Sequence, residues 1–86
     1  MAFKTWLAEM RLGRTERQLK TLRSQLKDLR KRQEELEASR EKAEIPDAEY
    51  RERKARMEEH KHKLLNQIHE AEQREKELRA EISVPA

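Results

Sequence analysis

One proline divides two apolar seven-residue repeats, and that arrangement leaves few folds open to this chain. Inside a continuous helix Pro46 would lack an N–H and clash with the turn before it, a cost of about 3 kcal/mol, and it disfavours the helical region for Ile45. A helix arriving from the N-terminal side is therefore predicted to stop near Ala43 or Glu44. Beyond the break, Asp47 has a side chain able to accept from the free N–H groups that open a second helix, and Glu49 adds negative charge where the macrodipole favours it.

The repeats on either side say what these helices bury. Before the break Leu19, Leu22, Leu26, Leu29, Leu36 and Ala43 alternate three and four residues apart, with Gln33 and Arg40 where the pattern asks for apolar side chains. After it Tyr50, Met57, Leu64, Ala71 and Leu78 recur at every seventh residue, beside a more polar row of Lys54, Lys61, Ile68, Glu75 and Ile82. Folding the chain back brings the rows into register. Ala43 then faces Tyr50, Leu36 faces Met57, Leu29 faces Leu64 and Leu22 faces Ala71, while Leu26 meets Ile68 and Leu12 meets Ile82.

The predicted fold is all-α, an antiparallel helical hairpin of coiled-coil type in one domain. Its parts are an amphipathic segment over 1–13, a first long helix over 14–44, a turn at 45–47 and a second long helix over 48–83. The leucines of the first repeat, with Tyr50, Met57, Leu64, Ile68, Leu78 and Ile82, form the expected helix–helix interface. Polar residues within the seam, Gln33 opposite Lys61 and Arg40 opposite Lys54, are expected to fix its register at some cost in stability. Leu65 beside the seam, and Leu19 facing Glu75, point to apolar surface left over after the hairpin closes. A second copy completing a four-helix bundle is the simplest way to cover it.

Residues 1–13 read as out of phase with this repeat. Phe3, Trp6, Leu7 and Met10 follow the i, i+3, i+4, i+7 spacing of one apolar helix face. Gly13 is suited to ending a helix and the Thr15/Gln18 pair has the spacing of a capping box. This face is expected to cap the end of the bundle, as part of one helix with a phase slip. The alternative is a hinged anchor for a membrane surface or a partner groove.

Charge is distributed in blocks. Residues 1–32 hold ten Lys or Arg against three acids, whereas residues 33–49 hold two against seven. Arg14, Arg17, Lys20, Lys27 and Lys31 fall on the side of the first helix turned away from the seam. Such a stripe is either a solvated face or a phosphate-tracking surface for nucleic acid or acidic lipid. With no aromatic residue interleaved, any nucleic-acid binding would be directed at the backbone.

Chemistry finds little purchase here. The 86 residues contain no cysteine, which removes thiolate metal sites and cysteine catalysis, and no apolar run approaches the length of a membrane span. Glu59 and His62 have a spacing used by metal sites in helical bundles, but the inward row of Met57 and Leu64 turns both toward water. No cofactor, metal or catalytic residue is expected, and no small-molecule substrate. Lys4, Glu9 and Arg11 interrupt the stretch a signal peptide would need, so a soluble cytoplasmic protein is expected. The function this implies is that of a non-enzymatic scaffold or adaptor that associates with itself and with another helical protein. Binding to nucleic-acid backbone or to a membrane surface is the alternative.

Overall fold

The computed structural model describes residues 2–83, with side chains from Thr5 onward. Two helices, α1 (Ala2–Glu41) and α2 (Asp47–Ser83), lie antiparallel against each other as a hairpin. The hairpin is a rod of 63 × 15 × 14 Å. Forty residues at 1.5 Å each span about 60 Å, so the length of the molecule is essentially that of α1. Helix charges suit the dipoles at the turn: α1 carries Arg40 in its last turn, and α2 carries Asp47 and Glu49 in its first.

The turn forms differently from the sequence expectation. α1 ends at Glu41, and Ala43 adopts the left-handed conformation with φ 55°. The Glu44 N–H donates to the Ser39 carbonyl at 2.9 Å and the Ala43 N–H to the Arg40 carbonyl at 3.0 Å. These two bonds are the pairing that closes a helix C-terminus, usually around glycine. Ala43 has therefore left the seam, where it was expected to face Tyr50, and it is exposed. Asp47 does not cap α2. The Tyr50 N–H bonds the Pro46 carbonyl at 3.0 Å to begin that helix, and the Asp47 carboxylate pairs with Arg51 at 2.9 Å.

A second correction concerns the N-terminal segment. α1 runs through Gly13 without interruption, and Gly13 has no positive φ. Thr15 is not a cap: its hydroxyl donates to the Arg11 carbonyl one turn earlier, at 2.9 Å. There is no phase slip either. Ala8 and Thr15 are buried and Leu12 is half-buried, so 8, 12, 15, 19 and 22 continue the same alternation of four and three. The repeat passes unnoticed in the sequence because two of its positions are held by a small and a polar residue.

Leu19, Leu22, Leu26, Leu29, Leu64, Ile68 and Ala71 form one buried cluster, against which Met57 packs. Leu36 and Tyr50 are buried nearer the turn, and Leu78 and Ile82 are half-buried toward the far end. Leu19 was expected to keep apolar surface open against Glu75. It is instead among the most completely buried side chains, at 1% exposure. Leu65, at 39%, remains open.

Candidate interaction surfaces

Cross-helix polar contacts track the antiparallel course of the rod. From its open end to its turn they are Glu16 with Arg79 at 3.1 Å, Arg23 with Glu72 at 3.5 Å and Gln33 with Glu58 at 3.2 Å. Gln33 thus reaches Glu58 and not Lys61, and Lys61 sits half-buried.

Tyr50 gathers the polar residues at the turn end. Its buried ring lies beneath the Arg40 guanidinium, 4.4 Å from the ring centroid. Its hydroxyl donates to Glu37 Oε1 at 2.6 Å and accepts from Lys54 Nζ at 3.1 Å, and Lys54 also stands 3.6 Å from Glu37. The tyrosine hydroxyl, helped by the charge of Lys54, holds the Glu37 carboxyl below the ordinary carboxylate range against the opposing effect of partial burial. Arg40 and Lys54, the two polar seam residues expected opposite each other, are thus joined through the aromatic ring between them. Tyr50 and Lys54 stand four residues apart on one helix face, the signal in the sequence from which this cluster could have been read.

The two outward faces differ in how their bases are held. On α2, Arg51 pairs with Asp47, Arg53 with Glu49, Arg56 with Glu52 and Lys63 with Glu59, each acid one turn before its base. On α1, Arg14, Arg17, Lys20, Lys27 and Lys31 are all exposed, and among the described residues none of them makes an ion pair. The cause is local sequence. The residues one turn before them are Met10, Gly13, Glu16, Arg23 and Lys27, and the single acid, Glu16, turns across to Arg79 of α2.

At the start of α1, Trp6 is 53% and Met10 46% exposed, and Leu7 is half-buried. Phe3 belongs to the same expected face but lies outside the described side chains. Within the single hairpin Trp6 and Met10 are thus open to the surroundings.

The grooves along the rod are shallow and lined mostly by charged side chains, as at Arg30, Gln33, Glu34, Glu37 and Glu41. His60, His62 and His69 are exposed, and among the described residues no group of three or more His, Asp or Glu is placed to hold a metal. No described helix is long and apolar enough to cross a membrane. No protein family, curated protein or solved structure matches the chain.

Proposed function

We propose that this chain is a non-enzymatic scaffold or adaptor that works by helix–helix association, first with a second copy of itself in a coiled-coil four-helix bundle. The observation that carries this reading is a core one side chain deep. A two-helix rod covers its seam from one side only, and Met57, Leu78 and Ile82 stay partly open while Leu65 stands outside at 39% exposure. Apolar side chains left in water favour association, and a closed two-fold bundle buries them without leaving a growing edge. Open grooves lined by charged side chains, as at Arg30, Glu34, Glu37 and Glu41, suit a protein that presents surfaces, and polar seam residues such as Lys61 would set the partner and register.

Analytical ultracentrifugation of the full chain at micromolar concentration tests this. A dimer or higher oligomer is expected, with a melting temperature that rises with protein concentration and a Leu65→Glu variant that shifts toward monomer. A monomer whose sharp melt is independent of concentration overturns the proposal.

A further inference from the structure

The apolar start of α1 and its basic stripe belong to one surface. At 100° per residue, Trp6, Met10, Arg17, Lys20, Lys27 and Lys31 fall within a sector of about 100°, opposite the leucines that face α2. Arg14 lies about 40° beyond one edge, and Glu16, which pairs with Arg79 of α2, about 20° beyond the other. Glu9 and Asp28 are the acids in this sector, which leaves it net positive. The sector runs from residue 6 to residue 31, roughly 38 Å along the axis. Trp6 and Met10 project at one end, and exposed bases without ion pairs follow along the same line.

We propose that this outward face of α1 docks on an anionic lipid bilayer, with the rod lying flat on the surface. The chemistry of the two parts is complementary to that one occupant. Tryptophan and methionine enter the boundary between headgroups and acyl chains, where the indole ring is apolar and its N–H stays near water. Lysines and arginines along the rest of the rod meet the negative headgroups, and their long stems leave the charges free to follow a fluid surface. Neither part holds the chain alone: a short apolar face is a weak anchor, and a basic stripe is screened by salt, but the two together form the double signal that surface binding requires. A nucleic-acid duplex would use the bases and leave Trp6 and Met10 in water, and no aromatic side chain stands among the bases to stack on a single strand.

This inference uses a different face from the one proposed for self-association, so the two fail separately. The full chain contains one tryptophan, Trp6, whose emission reports on its own environment. Titration with vesicles of phosphatidylcholine and phosphatidylserine should shift that emission to the blue, and phosphatidylcholine vesicles should not. Added salt should reverse the shift. A Lys20→Glu, Lys27→Glu, Lys31→Glu triple variant, with helicity checked by circular dichroism, should lose about tenfold or more in partitioning. Trp6→Ala, followed by vesicle flotation, should lose binding as well. The proposal is overturned if anionic vesicles leave Trp6 unchanged, if neutral vesicles bind equally, or if Trp6 is already blue-shifted and protected from iodide without lipid. Binding to duplex DNA without binding to anionic vesicles would also overturn it, and would assign the stripe to nucleic acid.

Discussion

Four bases on the outer side of α2 each meet an acid one turn earlier, whereas five on the outer side of α1 meet none among the described residues. Both helices contribute to the same seam, so the difference owes nothing to the core. It lies in which residue stands four places before each base. Over its first half α2 holds these four bases within itself, against Asp47, Glu49, Glu52 and Glu59. α1 leaves these five bases without an ion pair among the described residues and places Trp6 and Met10 at the head of them.

The largest expected effect tests whether the seam and the outer flank are separable. Leu19→Ala, at a position 1% exposed, should destabilise the fold by about 3 kcal/mol in thermal or chemical denaturation. Leu65→Ala should cost well under half of that in dilute protein. A Leu65→Ala cost equal to that of Leu19→Ala, growing with protein concentration, would show that α2's outer flank is core in the assembled state.

Next in size is the cluster that ties the helices together at the turn. Because the Glu37 carboxyl is held below its ordinary value of 4.5, its contribution is fully present above that pH and is lost as pH falls through the lower folded value. The gap in melting temperature between the wild type and Tyr50→Phe should therefore be widest at neutral pH and shrink in acid. A gap that stays constant down to the acid limit would mean that the hydroxyl acts on the ring's packing alone.

Gly13 and Ala43 sharpen the contrast between the middle of α1 and its end. The chain's single glycine lies within a helix at a φ that alanine adopts freely, and a methyl group there would meet only Arg17 Nη1 at 3.9 Å. The left-handed position that favours glycine is held by alanine. Gly13→Ala and Ala43→Gly should each stabilise the hairpin, by about 0.5–1 kcal/mol. A loss on Gly13→Ala would revive the hinge that the sequence suggested.

The smallest effect bears directly on the two outer faces. Glu52→Gln on α2 should cost about 0.3–0.5 kcal/mol by releasing Arg56, and salt should diminish the difference. Lys27→Gln on α1 should cost nothing, since Arg23 precedes it and Lys31 follows it by one turn. Equal costs would mean that the α1 stripe is paired in solution after all.

What the sequence determined alone is the hairpin and most of its seam. Pro46 forbids one continuous helix, and a seven-residue apolar spacing on each side requires two helix faces that meet, because both rules act through backbone geometry within a few residues. That is why the spacing alone assigns Leu22, Leu26, Leu29, Leu64 and Ile68 to the seam, and the stripe from Arg14 to Lys31 to the outward side. What the tertiary structure decided is what happens where the local signals conflict. Gly13 and Thr15 looked like a break because glycine and threonine prefer ends. They lie within α1 because helix and seam continue on both sides, and the hydroxyl of Thr15 finds the Arg11 carbonyl. Ala8 and Thr15 could not be recognised as seam residues from apolarity, since burial there depends on how closely the partner helix approaches. Ala43 left the seam because the turn before Pro46 needed one residue in the left-handed region. Arg40 lies over the Tyr50 ring, a contact across the helices that no spacing along one of them specifies.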